Sequence, residues 1–219
     1  MNHTADTAGL VAKSLVTFEE LLASAPDFAP LPDAEPPPPP RKTIWKQTGL
    51  PERYRDEWPL PDDAQWLDRF AKARGKLDQN GTLALVGPRG TGKTRMAAEL
   101  MRLESDRRDR YVTAMGLFLR IRKSFSKDVG DTEADIVDEM AECPLLVLDE
   151  IQERGNTSWE DRIITHILDR RYGDLMPTVI IANLTKETLA DCLGESIVSR
   201  MQETGGVMEI TGKSHRIHP

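Results

Sequence analysis

Residues 82–94 read Thr82-Leu83-Ala84-Leu85-Val86-Gly87-Pro88-Arg89-Gly90-Thr91-Gly92-Lys93-Thr94. Five strand-forming residues run into the octet G-x-x-x-x-G-K-[ST], and a helical stretch from Lys93 to about Glu104 follows. Glycines at these spacings let successive backbone N–H groups curl around phosphate oxygens, and the N-terminus of the next helix adds its dipole at the same point. Lys93 then bridges the terminal phosphates of a nucleoside triphosphate, and Thr94 offers its hydroxyl to Mg²⁺. Gly87, Pro88, Arg89, Gly90, Thr91, Gly92, Lys93 and Thr94 are all candidate phosphate-site residues.

Downstream, Leu145-Leu146-Val147-Leu148 reads as a buried strand that delivers Asp149 and Glu150 at its carboxyl end. Asp149 is suited to the Mg²⁺ shell, and Glu150 to orienting and deprotonating a water. That pairing implies hydrolysis, because transfer to another acceptor needs no activated water. Asn183 ends another apolar run, Thr178–Ala182, where its amide can hold the attacking water or the terminal phosphate; a turn-forming asparagine is the plainer alternative.

Around these segments the chain alternates strands and helices. Strands are expected at 82–86, 110–114, 145–148, 178–182 and 207–210. Helices are expected after Asp62 or Asp63 (carrying Trp66, Phe70, Ala73 and Leu77), then at 93–104, 117–125, 132–141, 159–172, 186–193 and 195–201. Apolar strands without alternation fit a parallel sheet covered on both faces, so the fold class is α/β, with five parallel strands between helices.

Composition limits the function classes. The chain has 219 residues and a formal net charge of −7, enough for one ordinary domain plus a tail. No apolar run reaches the roughly 20 residues a membrane helix needs, and no secretory signal pattern opens the sequence. Cys143 and Cys192 show neither CxxC nor disulfide-scaffold spacing, which fits a reducing cytoplasm. His3, His166, His215 and His218 have no metal-ligand spacing. Residues 1–40 carry one lysine and six acids, and 25–40 read APDFAPLPDAEPPPPP, an extended, flexible linker by composition. Ahead of it, Leu10, Val11, Leu15, Phe18, Leu21 and Leu22 share one face of a short amphipathic helix. That helix either folds back on its own domain or docks a partner. The division is therefore 1–40 tail, 41–219 domain.

With these motifs in place, the sequence resembles the AAA+ ATPases of the ASCE type, and within them the DnaC-type helicase loaders, from about Gly49 to Arg216. The carrying segments are Gly49-Leu50-Pro51-Glu52-Arg53-Tyr54-Arg55, GPRGTGKT, LLVLDEI, Asp169–Tyr172, IIANLT, Leu193–Met201 and Ser214-His215-Arg216. The resemblance implies a bacterial cytoplasmic protein, conceivably phage- or prophage-encoded, with no helical lid domain. It further implies that the protein binds ATP with Mg²⁺, hydrolyses ATP, self-associates into a ring or spiral, and delivers a DnaB-type replicative DNA helicase onto single-stranded DNA, with hydrolysis coupled to release. It assigns Arg200 as an arginine finger reaching a neighbouring subunit's ATP and Arg216 as a second basic contact to nucleotide. Arg120, Arg122, Lys123 and Phe125 become candidate DNA contacts, with Thr157 and Trp159 next; a solvated charged face over core aromatics is the competing reading. The IstB-like transposition helper ATPases share almost every motif, and an ATP-binding adaptor without turnover is a third possibility.

Overall fold

The computed structural model describes residues 45–56, 63–104, 106–126 and 130–212. The expected tail helix and Arg216 lie outside them. The elements run α1 (Ala64–Leu77), β1 (Thr82–Val86), α2 (Lys93–Glu104), β2 (Arg110–Thr113), α3 (Ala114–Ser124), α4 (Glu133–Glu142), β3 (Leu146–Asp149), α5 (Ser158–Gly173), β4 (Thr178–Ala182), α6 (Lys186–Leu193), α7 (Glu195–Thr204) and β5 (Gly206–Glu209).

The helix starts follow from local hydrogen-bond chemistry. Asp63 accepts N–H bonds from Gln65 and Trp66, so it, not Asp62, begins α1. Thr132 opens α4 and Thr157 opens α5 in reciprocal capping boxes with Asp135 and Glu160. Thr113 does the same work for α3, accepting the Gly116 N–H at 3.0 Å. That cap starts α3 three residues ahead of the expected 117 and ends β2 one residue early. β3 and β5 likewise sit one residue from their expected spans, since strand ends are set by pairing partners rather than by apolar runs.

All strand pairs are parallel, in the order β2-β3-β4-β1-β5. Each strand supplies both faces. Ala84, Val86, Leu146, Leu148, Ile180 and Ala182 pack with α3–α7 on one side. Leu83, Leu85, Val147, Val179 and Ile181 pack on the other with Trp66 and Leu77 of α1, Met96 and Met101 of α2, and Trp45 and Leu50. Each fully buried Val, Leu, Ile or Met among them contributes about 1.5–3 kcal/mol. Of the expected α1 stripe, Trp66, Ala73 and Leu77 are buried, and Phe70 stacks on Trp66 at 5.1 Å. Among the described residues, no helix is long and apolar enough to cross a membrane.

Strand order fixes the crevice. β4 lies between β3 and β1, so the loops leaving the carboxyl ends of β1, β3 and β4 meet at one edge. Such edges are where open α/β sheets bind ligands.

Candidate nucleotide site

The loop after β1 turns on glycine. Gly90 and Gly92 have φ of 88° and 89°, where side chains are strained, and Gly87 has φ 134°. A Cβ on Gly87 would lie 2.4 Å from the carbonyl oxygen of Ile210, so the loop can pack this closely on the segment after β5 only with glycine. Thr91 Oγ1 donates to the Pro88 carbonyl at 3.0 Å. Lys93 Nζ folds back to donate to the carbonyls of Gly87 (2.8 Å) and Pro88 (2.7 Å), holding its charge within the loop that would cradle phosphate.

At the end of β3, Asp149 is buried and Glu150 exposed. Thr94 Oγ1 donates to Asp149 Oδ2 at 3.0 Å, and the Glu150 N–H donates to Asp149 Oδ1 at 2.7 Å. Two oxygen donors so placed, Thr94 and Asp149, suit Mg²⁺, which takes one or two protein oxygens and completes its shell with phosphate and water. Among the described residues no group of three or more His, Cys, Asp and Glu could hold a metal unaided. Glu150 adopts φ 54°, a left-handed conformation costing a non-glycine residue about 1–2 kcal/mol; strain of this kind concentrates at functional sites.

A cavity of about 230 Å³ gathers these groups: Gly90, Gly92, Lys93, Thr94, Asp149, Glu150 and Asn183 line it. The Asn183 backbone N–H is fixed by Gln152 Oε1 at 3.1 Å. Glu150 and Asn183 also border a second hollow beside Arg89, Met115 and Glu153, where Arg89 pairs with Glu153 at 2.7 Å. Arg53, Tyr54, Trp66, Glu99 and Arg102, to which the sequence motifs give no role, also line the main cavity. Arg102 donates to the carbonyls of Tyr54 and Asp56 and pairs with Glu99 at 2.9 Å, holding the segment ahead of α1 against α2.

Two further residues went unassigned. Tyr111 Oη donates to Asp149 Oδ2 at 2.5 Å; burial, with the Asp149 carboxylate beside it, pushes the phenol well above its ordinary range, so it stays a donor. Arg171 is fully buried and donates to the carbonyls of Met140, Ala141, Cys143 and Pro177. One sequence signal does exist for it: Arg171 continues the buried Ile164–Ile167–Leu168 stripe of α5.

Arg200 stands apart from the phosphate cavity. It pairs with Asp169 of α5 and lies 5.5 Å over the Tyr172 ring, beside a separate small hollow. The candidate DNA residues divide by environment. Arg120 is engaged by Asp131 and Glu139, and Arg122 by Glu160. Thr157 caps α5. Trp159 is half-buried, 5.6 Å from Phe118. Lys123 is exposed, and Phe125 is 63% exposed with its ring 6.3 Å from Trp159.

Residues 69–219 match the family described as IstB-like ATP binding protein. The replicative helicase loader DnaC of Escherichia coli K12 is 28% identical over 142 residues, covering 62% of this chain and 58% of that protein. The present chain thus spans under two thirds of that relative. Among solved structures, a DnaC helicase loader aligns with TM-score 0.60 at 22% identity, over 74% of this chain and all of that one. AMPPCP-bound DnaA from Aquifex aeolicus aligns at 0.59 and 18% identity, over 74% and 51%. These two likenesses concern the fold, the same parallel α/β core. The matched family's description names ATP as the ligand, which the loop from Gly87 to Thr94 fits. The chain therefore belongs to the family described as IstB-like ATP binding protein.

Proposed function

We propose that this chain binds Mg²⁺–ATP between Gly87 and Thr94, hydrolyses it, and uses the cycle to place a DnaB-type replicative DNA helicase on single-stranded DNA. The observation that carries the reading is the meeting of Lys93, Thr94, Asp149, Glu150 and Asn183 around one cavity. A phosphate-binding loop with no water-activating carboxylate would suit a binding-only adaptor; Glu150 supports turnover.

Lys93 exchanges the Gly87 and Pro88 carbonyls for phosphate oxygens. Thr94 and Asp149 would hold Mg²⁺, which would supply charge neutralisation on the phosphates. Glu150 takes a proton from the attacking water, and Asn183 orients that water or the terminal phosphate. Arg200, outside its own cavity, acts in trans: an adjacent copy presents it to the hollow beside Glu150 and Asn183. A guanidinium there is worth about 10³–10⁵ in rate in related NTPases. Self-association and single-stranded DNA therefore stimulate turnover, and hydrolysis weakens the assembled state and releases the helicase. Arg216 is a second basic contact to nucleotide. DNA contact centres on exposed Lys123 and Phe125, because Arg120 and Arg122 are already held by carboxylates and Thr157 and Trp159 by capping and packing. The segment around Leu10–Leu22, or another part of residues 1–40, grasps the helicase.

The test is a loading assay with purified replicative helicase and circular single-stranded DNA. ATP-dependent deposition of helicase supports the reading, and its absence despite ATP turnover refutes the loader assignment. The matched family's IstB-like description favours a second reading, assistance to a transposase. Stimulated turnover with transposase and none with helicase selects it.

A further inference from the structure

Asp149 receives a contact that the phosphate loop does not supply. Its Oδ2 accepts two hydroxyls, Thr94 at 3.0 Å and Tyr111 at 2.5 Å, while Oδ1 accepts the Glu150 N–H at 2.7 Å. Tyr111 is held from several sides. Its backbone N–H donates to the Thr48 carbonyl at 2.8 Å. Gly49 packs so near that an added Cβ would lie 2.5 Å from the Tyr111 carbonyl oxygen. Its ring is buried in the apolar cluster that includes Leu145 and Val147. In register, Tyr111 sits opposite Val147, two residues before Asp149 on the same face of the sheet.

We propose that Tyr111 is a positioning residue that fixes the Asp149 carboxylate for the Mg²⁺ bound with nucleotide. The Thr94 proton goes to Asp149, which leaves the Thr94 oxygen lone pairs for the metal. That arrangement requires the carboxylate not to turn. With Tyr111 in place, turning breaks the Oδ1 bond and two Oδ2 bonds; without its hydroxyl, Oδ2 keeps only the Thr94 hydroxyl. A neutral phenol suits the role where a cation does not, since it orients the carboxylate and leaves its negative charge for the metal. Tyr111 is not among the residues that line the cavity. Its effect therefore falls on metal affinity and not on nucleotide affinity without metal. The inference rests on the proposed nucleotide site and deepens it.

The experiment measures binding of a fluorescent ATP analogue to full-length wild-type and Tyr111→Phe protein, first without metal and then across a Mg²⁺ titration. Metal-free affinity is expected to stay within about twofold, while the Mg²⁺ midpoint rises roughly tenfold, the loss of one hydrogen bond to a charged group. An unchanged midpoint, or equal weakening with and without Mg²⁺, overturns the proposal. A second measurement leaves the protein otherwise intact: 3-fluorotyrosine placed at position 111 reports by ¹⁹F NMR. Its resonance is expected to move when Mg²⁺ joins the nucleotide complex, and a stationary resonance overturns the proposal. Wild-type protein that binds no nucleotide at all would instead reject the site on which both ideas stand.

Discussion

Replacing Arg171 with methionine tests the packing argument most directly. The guanidinium has no solvent exposure and donates to Met140 O at 2.9 Å, Ala141 O at 3.1 Å, Cys143 O at 2.7 Å, Pro177 O at 2.6 Å and Thr178 Oγ1 at 2.8 Å. Met140 and Ala141 lie in the last turn of α4, whose carbonyls need a partner. Cys143 and Pro177 lead into β3 and β4. Methionine fills much of the volume and donates nothing, so buried carbonyls lose their partner. At about 1 kcal/mol each, and more for bonds to a charge, the loss sums to about 3–5 kcal/mol. For a domain of this size that corresponds to a fall of roughly 6–20 °C in Tm. Circular-dichroism melts of Arg171→Met and Arg170→Met give the contrast within one experiment. Arg170 pairs with Asp138 and Glu142 at the surface, and its loss is expected to cost less than about 1 kcal/mol. If both variants melt within about 2 °C of the parent, Arg171 is not the clamp that joins α4 to the starts of β3 and β4.

Three predictions concern the site. Lys93→Ala is expected to weaken ATP binding by at least about a hundredfold in calorimetry, since a charged phosphate contact is lost; retained affinity contradicts the phosphate-loop assignment. Glu150→Gln is expected to bind ATP normally and hydrolyse it about 10²–10⁴-fold more slowly, the range for a lost general base, and an unchanged rate in a phosphate-release assay removes Glu150 from the chemistry. Lys123→Glu combined with Phe125→Ala is expected to lower single-stranded DNA affinity about tenfold or more in fluorescence anisotropy, with a shallower salt dependence; equal affinity moves the DNA contact elsewhere.

How far each residue could be assigned from the chain alone depends on how local its geometry is. The loop from Gly87 to Thr94 carries its requirements in consecutive residues: positive φ at Gly90 and Gly92, a close approach at Gly87, and a helix starting at Lys93. Asp149 and Glu150 were readable for the same reason, as the end of an apolar run too short for a helix. Helix starts are less so, because a single capping side chain decides several of them. Thr113 begins α3 directly after β2, where the apolar pattern alone pointed to Leu117.

Contacts across the sheet behaved differently. Nothing near Tyr111 in the chain indicates that β2 pairs with β3 in the register that brings its hydroxyl to Asp149, 38 positions away. Likewise, the cations of Arg120-Ile121-Arg122-Lys123 look equivalent along α3. Only folding shows that Asp131, Glu139 and Glu160 engage Arg120 and Arg122 while Lys123 faces solvent. Arg171 continues the buried stripe of α5 in the chain, but the carbonyls it bonds are brought to it only when α4, β3 and β4 close around it. The phosphate loop, the carboxylate pair and the α/β alternation are properties of contiguous backbone, so they are written into the chain. Which charge is neutralised, which carbonyls Arg171 reaches and which tyrosine meets Asp149 depend on strand order and on packing between distant segments, and those exist only in the folded molecule.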